Sequence, residues 1–469
     1  MTAPTELIER LDSHNQSHLL RWWDELSAQE RQHLQTEISA VDFPLLESVL
    51  LKSKNNDSAT ESVPRADIAV APQSLVCQPA SAEDTSAWEA ARIIGGDLLA
   101  GGKIAVITVA GGQGSRLGFD HPKGMFPIGP VTDRTLFQIF AEQIQAKRIE
   151  CGAAIPWLIM TSSATHQETV DFFKANQFFG LASDTVHFFP QGSMPAADAE
   201  TGKLLMSTNH SLCLSPDGHG GLVTALQSSG LLQKLESQGI EHVFYHQVDN
   251  PTVIICDPAL IGLHQQHDSQ LTTNVVRKVS PMEKMGVLAD VNGKLEIIEY
   301  SEMTEAQASR TDDSGNGLFW AGNTAIHIFS LAFFKELSED GCLLELHLAN
   351  KKVPHLNDSG QMVQPDAPNA FKFERFIFDA LPLAKRSLVV EGDRQREFNP
   401  VKNAEGSDSP ATSKAALIRI YTEWLSSLGH EIAEGTPVEI SPLIATDASQ
   451  LSARLKAGEV TVESLTGQM

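Results

Sequence analysis

An arginine and a lysine stand seven residues apart in a glycine-rich stretch, Arg116 and Lys123 in AGGQGSRLGFDHPKG (residues 110–124). Gly111, Gly112, Gly114 and Gly118 lack a Cβ, which lets consecutive backbone N–H groups converge on an anion. The two cations at fixed offsets can then supply charge to phosphate oxygens. Two better-known phosphate loops do not fit. A P-loop ends in GK[ST], and Lys123 is followed by Gly124 and Met125. A dinucleotide fingerprint needs G-x-G-x-x-G, whereas Gly112, Gly114 and Gly118 are spaced G-x-G-x-x-x-G. A glycine turn without a ligand is the plain alternative, and the cations count against it.

Other polar groups suit the same chemistry. Asp249, in VDNP, is a carboxylate that could share Mg²⁺ with triphosphate oxygens, or could cap the following turn. PDGHGG (216–221) is a second glycine-dense turn, holding Gly218 and His219. Gln191, in HFFPQGSMP, offers a donor and an acceptor on one amide. Glu299 and Tyr300 (IIEYSE) and Asn323 (WAGN) carry groups that suit a polyol, though each alone would pass as surface polarity. Phe376 and Phe378 (ERFIFD) stand two apart, so a strand would turn both to one face; core packing is their simplest reading. Lys402, in NPVKN, taken alone reads as a solvated lysine.

The elements that must position these groups follow from periodicity. Residues 103–109 (KIAVITV) form a β-branched run ahead of the glycine loop, and 135–150 have a helical apolar face. Residues 156–160 and 242–248 are further strand-like runs, the last ending at Asp249. Strands alternating with helices predict an α/β fold with a mainly parallel sheet, which binds ligands at the carboxyl ends of its strands. The glycine loop and Asp249 both fall there. Residues 5–53 read as helices, and 54–85, rich in Ser, Ala, Pro and Asp, as a connection. After about residue 386 the pattern changes: a loop (399–410), a helix (413–428) and two strand-like runs (437–444 and 459–462). The implied division is a helical region and connection over 1–100, a main domain over 101–385 and a small C-terminal domain over 386–469.

Composition narrows the partners. The 469 residues are 42% hydrophobic and 20% charged, the profile of a globular chain, and no apolar run approaches the ~20 residues of a membrane span. The N-terminus is acidic and polar, unlike a secretory signal. Five scattered cysteines, with no CxxC pair, suggest neither a disulfide framework nor a zinc site, and a reducing cytoplasm is expected. A net charge of −24 repels nucleic acid and anionic membranes. It also repels nucleotides, so cations and a divalent metal would have to be concentrated locally.

GGxGxRLG followed by PKG resembles the signature of the UDP-sugar pyrophosphorylases. The segments TLFQIFAEQI, PWLIMTS, FFGL, SPDGHGGL, VDNP, EYSE, AGN, FERFIFD and EISPL, between about 88 and 445, are most similar to the eukaryotic-type UDP-N-acetylglucosamine pyrophosphorylases. The resemblance implies a Rossmann-like, GT-A-like nucleotidyltransferase fold, with UTP and a hexose 1-phosphate as substrates and Mg²⁺ as cofactor. It implies catalytic roles for Arg116, Lys123 and Lys402, and places Gly111, Gly112, Gln191, Gly218 and Asp249 on the nucleotide. Asp249 would also hold the metal. Toward the sugar it implies His219, Gly286, Glu299, Tyr300, Asn323, Phe376 and Phe378. The acetylhexosamine branch usually has asparagine where this chain has His219; the glucose-type and broad-specificity branches have a GHG turn there. UDP-glucose or broad UDP-sugar synthesis is therefore the same-class alternative, and a non-catalytic UDP-sugar sensor the alternative of another class. A sensor would be expected to lose phosphate-handling residues first, yet Arg116, Lys123, Asp249 and Lys402 are all present. An NAD-dependent oxidoreductase fails on glycine spacing.

Overall fold

Strand Ile104–Val109, buried along nearly its whole length, lies within a ten-stranded sheet in the computed structural model, which describes residues 2–56, 63–73 and 75–466. Its backbone pairs in parallel with Trp157–Thr161 on one side and with His242–Gln247 on the other. Val186–Pro190 extends the sheet in parallel beyond Trp157–Thr161. On the other side Ala321–Ser330 runs antiparallel to both of its neighbours, His242–Gln247 and Leu271–Arg277. Ser387–Glu391 and then Leu75–Val76 complete that edge in parallel. The expected α/β class with a mainly parallel central sheet holds, as does a helical N-terminal region. Both strands that feed site residues end where expected, at the glycine loop and just before Asp249.

This sheet belongs to the larger of two compact units, made of Pro64–Pro190, Ala225–Leu343 and Ala380–Met469. Helix Ala82–Ala100 crosses helix Pro258–Gln266 at two glycines. A Cβ on Gly95 would lie 1.9 Å from the Pro258 carbonyl oxygen, and one on Gly262 1.7 Å from that of Ala91, so only glycine permits this approach. Helix Pro410–Ser427 packs Leu417, Ile420 and Leu425 into the same core as the sheet. The strand-like runs at 437–444 and 459–462 form no strands. The first makes a single bridge, Val438 to Thr466, and the Glu439 carboxylate is committed instead to the N–H groups of Val131 and Thr132 and to Arg134. The second turns into the short helix Val462–Leu465, opened by a Thr461–Ser464 capping box.

The smaller unit joins Met1–Val63, Gln191–Thr224 and Leu344–Asp379. Its helices Thr5–Ser13, Ala28–Ser39 and Phe43–Asn56 bury Leu7, Leu11, Leu34, Ile38 and Leu46 against Ala197, Leu204, Met206, Leu212 and Phe373. Polar bonds fix the register. Glu37 accepts from the Leu212 N–H at 2.7 Å, and Gln16 accepts from the Leu204 N–H at 2.9 Å. The N-terminal helices therefore brace the segment that carries Gln191 and the second glycine turn. Phe376 and Phe378 are not on a strand as expected: Ala370–Glu374 ends first, and Ile377–Leu383 is a 3-10 turn. The rings still stack, 5.1 Å between centroids and 18° between planes. Among the described residues no helix is long and apolar enough to cross a membrane.

Candidate functional site

In the larger unit the glycine loop is folded on itself by its own backbone. The Gly114 N–H donates to the His121 carbonyl, and the Lys123 N–H to that of Gly112, at 2.9 and 3.0 Å. Gly114 has to be glycine, since a Cβ would sit 2.7 Å from the Phe119 carbonyl oxygen. Gly118 closes the 3-10 turn Ser115–Leu117 at φ +68°. Nothing lies within 4 Å of the Cβ position on Gly112, so that backbone faces open space. The Ser162 hydroxyl holds the Gly111 carbonyl at 2.8 Å from the next strand's end. Gly124 sits on the buried ring of Phe137, where a Cβ would be 2.2 Å away, and this contact sets the height of Lys123.

Lys123 reaches the carboxyl ends of the strands, with its Nζ 4.0 Å from Asp249 Oδ2. Burial pushes its ammonium pKa down; Asp249 opposes that shift, and the charges of Lys402 and Arg116 add to it. Three cations thus gather near one carboxylate, although they lie far apart in sequence. Lys402 arrives through the backbone: the Val401 N–H donates to the Asp249 carbonyl at 2.8 Å. Its Nζ lies 5.4 Å from the Phe398 ring centroid. Its charge also acts on Glu299, whose pKa is raised by burial and by Glu302 against the pull of Lys402 and Arg65. Gly286 lies beside Glu299, where a Cβ would stand 3.0 Å from Oε1, and its carbonyl accepts the Asn323 N–H at 2.9 Å. Tyr300 is exposed. Arg116, Lys123, Asp249, Gly286, Glu299, Asn323 and Lys402 are therefore one neighbourhood of the larger unit. Among the described residues no three His, Cys, Asp or Glu side chains cluster as a metal cage. Asp249 alone could contribute a metal ligand, with phosphate oxygens and waters completing the shell, which is the usual manner of Mg²⁺.

In the smaller unit the turn 216–221 is built around a carboxylate that the sequence reading passes over. Asp217 is 3% exposed, and its side chain fills the space that a Cβ on Gly192 or Gly221 would need, at 2.4 and 2.0 Å. Its backbone N–H and carbonyl bond Gly192 and Arg375, at 3.1 and 2.8 Å. The available signal was the pair of glycines flanking it. Gly218, at φ +82°, faces the Arg375 carbonyl, and the Gln191 amide donates to the Gly218 carbonyl at 3.4 Å. Burial raises the Asp217 pKa to about 6, against the pull of Arg375. In the fold this group keeps a proton that the unfolded chain has lost, so its contribution to stability declines as pH rises from about 4 to about 6 and is flat above. Asp217→Asn is expected to remove that decline, read as urea midpoints at several pH values across this window.

His219 is locked by its neighbours. Its Nδ1 accepts the Ile377 N–H at 3.1 Å, which assigns the ring proton to Nε2. Its ring packs 5.5 Å from Phe376 and 5.3 Å from Phe378, and burial pushes its pKa down to about 4, against the opposing pull of Asp379. A neutral imidazole presenting a fixed N–H donor beside two stacked rings is what this unit brings together.

Comparison with known proteins adds the family. Residues 43–419 match the family described as UTP–glucose-1-phosphate uridylyltransferase. UDP-N-acetylglucosamine diphosphorylase 2 of Arabidopsis thaliana is 35% identical over 95% of this chain and 91% of its own. UDP-N-acetylglucosamine pyrophosphorylase of Saccharomyces cerevisiae is 34% identical over 93% of this chain and 94% of its own. Among solved structures, the uridine diphosphate N-acetylglucosamine pyrophosphorylase of Trypanosoma brucei, crystallised with an inhibitor, superposes with a TM-score of 0.82. It is 27% identical, over 97% of this chain and 96% of that one.

Proposed function

Because this chain belongs to the UTP–glucose-1-phosphate uridylyltransferase family, we propose that it joins UTP to N-acetylglucosamine 1-phosphate, forming UDP-N-acetylglucosamine and pyrophosphate. Membership makes it a nucleotidyltransferase. The observation that carries the reading is the gathering of Arg116, Lys123 and Lys402 near Asp249, at the carboxyl ends of the central strands.

An oxygen of the sugar 1-phosphate attacks the α-phosphorus of UTP in line, and the bond from that phosphorus to the oxygen bridging α and β breaks. Pyrophosphate leaves with the electron pair. Such chemistry is governed by positioning and by neutralising charge, so no covalent nucleophile is assigned. Arg116 and Lys123 hold the departing pyrophosphate side, and Lys402 neutralises oxygens on the bridging or sugar-phosphate side. The amides of Gly111 and Gly112 approach the phosphates. Gln191 reads the uracil edge with its amide, and Gly218 closes on the ring. Gly286, Glu299, Tyr300 and Asn323 are assigned to the sugar hydroxyls, and Phe376, Phe378 and His219 to recognition of its acetamido group. Asp249 would hold Mg²⁺, which would supply charge neutralisation at the phosphates. All five cysteines are free thiols, which suits a reducing cytoplasm as the proposed location.

His219 favours a second reading, glucose 1-phosphate, because a histidine in this turn is the glucose-type pattern. Pyrophosphate release from UTP and Mg²⁺ with each sugar phosphate separates the two. Faster release with the acetylated sugar is expected; faster release with glucose 1-phosphate would transfer the chain to the second reading. Release with neither would leave binding without turnover, the sensor alternative.

A further inference from the structure

Lys402 is carried by a segment that leaves strand Ser387–Glu391 and is pinned near its start by one half-buried carboxylate. Glu397 ends the short helix Arg394–Glu397. Its Oε2 accepts from the Asn274 amide at 3.2 Å, and its Oε1 accepts from the Asp393 N–H at 2.8 Å. Gly392 leaves this packing no slack: a Cβ there would stand 2.6 Å from Asn274 Nδ2 and 2.8 Å from Glu397 Oε2.

From Asn274 the bonds continue toward the sugar side. The Thr324 hydroxyl donates to the Asn274 carbonyl at 2.7 Å. Thr324 directly follows Asn323, where the two strands slip register and Ala325 takes φ +57°. Toward the phosphate side, the Glu397 carbonyl accepts from the Asn250 amide at 2.6 Å, and Asn250 Oδ1 accepts the Asn399 N–H at 3.2 Å. Asn250 follows Asp249, whose carbonyl takes the Val401 N–H. One continuous run of bonds thus joins Asn323 to Lys402 through Glu397, entirely within the larger unit.

We propose that Glu397 is a positioning residue: by accepting from Asn274 and Asp393 together, it holds Lys402 at Asp249 in fixed relation to Asn323. It touches no substrate, and its role in turnover rests on the uridylyltransferase reading. Both side-chain bonds require an acceptor. A glutamine would turn an N–H₂ group toward one donor, and a protonated Glu397 would turn an O–H there. The charged groups facing it are Asp257, Asp393 and Arg396; burial, with Asp257, pushes its carboxyl up to about 7, against the pull of Arg396 and the Asp393 N–H. Glu397→Gln removes a disfavoured charge but sets an N–H₂ group against one of the two donors, so the exchange at Val401 and Lys402, rather than stability, reads the role.

Two measurements on the full chain test this. The first is hydrogen exchange at about pH 8, comparing the Val401 and Lys402 amides in wild type and Glu397→Gln. The second is kcat and KM for UTP across about pH 6 to 9. Expected are exchange at those amides faster by about tenfold, kcat lower by about tenfold or more and KM changed by less than about threefold. The acid limb of the wild-type kcat near pH 7 should be absent from the variant. Unchanged exchange at Val401 and Lys402 overturns the proposal. So does a wild-type kcat in the variant. Should wild type release no pyrophosphate from either sugar phosphate, the functional reading fails while the exchange measurement still decides the role of Glu397. Asn274→Ser removes the same donor from the opposite strand and is expected to repeat the pattern if Glu397→Gln does not fold.

Discussion

Lys123→Ala is expected to lower kcat for pyrophosphate release by about two to four orders of magnitude while leaving the protein folded. The lysine is almost buried, so its charge acts through little screening water, and it sits 4.0 Å from Asp249 behind a loop whose backbone is closed by its own hydrogen bonds. Arginine is no substitute. Lys123 stands on a 3-10 turn packed over Phe137, and a wide planar guanidinium does not reproduce the compact point charge of an ammonium. Burial lowers the lysine's pKa, so the fold disfavours its charged form. That cost applies below the folded pKa and vanishes above the ordinary one, so at neutral pH the alanine variant should be at least as stable. Steady-state kinetics with a urea melt on one preparation checks both halves. Wild-type turnover in a folded variant would remove Lys123 from the mechanism.

The second large effect is expected at Gly218→Ala. Its φ of +82° with ψ of 170° is a conformation essentially reserved for glycine, and an added Cβ would come within 2.4 Å of the Arg375 carbonyl oxygen. Strain of about 1–3 kcal/mol follows from the dihedrals alone, before the contact is counted. The turn must therefore shift, carrying His219 and its bond to Ile377 with it. KM for UTP should rise at least tenfold, and the urea midpoint should fall. A normal KM would mean that this turn is not where the uracil is recognised.

Local signals made much of this readable. The glycine loop, the strand ahead of it and the strand ending at Asp249 are each short continuous segments, where periodicity and turn chemistry act directly. Lys402 alone read as a solvated lysine, because its neighbour Asp249 is some 150 residues away and the joining bond, Val401 to Asp249, is between backbones. Asp217 and Glu397 escaped notice for a related reason: each is a carboxylate whose setting is completed by distant residues, Gly192 and Arg375 for Asp217 and Asn274 for Glu397. The smaller unit draws on three separate stretches, which no shift in composition along the chain can reveal. The strands expected near the C-terminus do not form: the Glu439 carboxylate is used by the 131–134 loop, and its segment keeps only a single bridge, Val438 to Thr466.

The backbone bond from Val401 to Asp249 bears on how the protein is made. Glycine loop, Asp249 and sheet strands through Ala321–Ser330 leave the ribosome long before residue 402 of 469. A nascent or truncated chain can already hold two of the cations and the carboxylate, yet it lacks the third and the strand Ser387–Glu391 that anchors its segment. The arrangement is therefore complete only after residues 387–402 are made and the segment that delivers the final lysine docks.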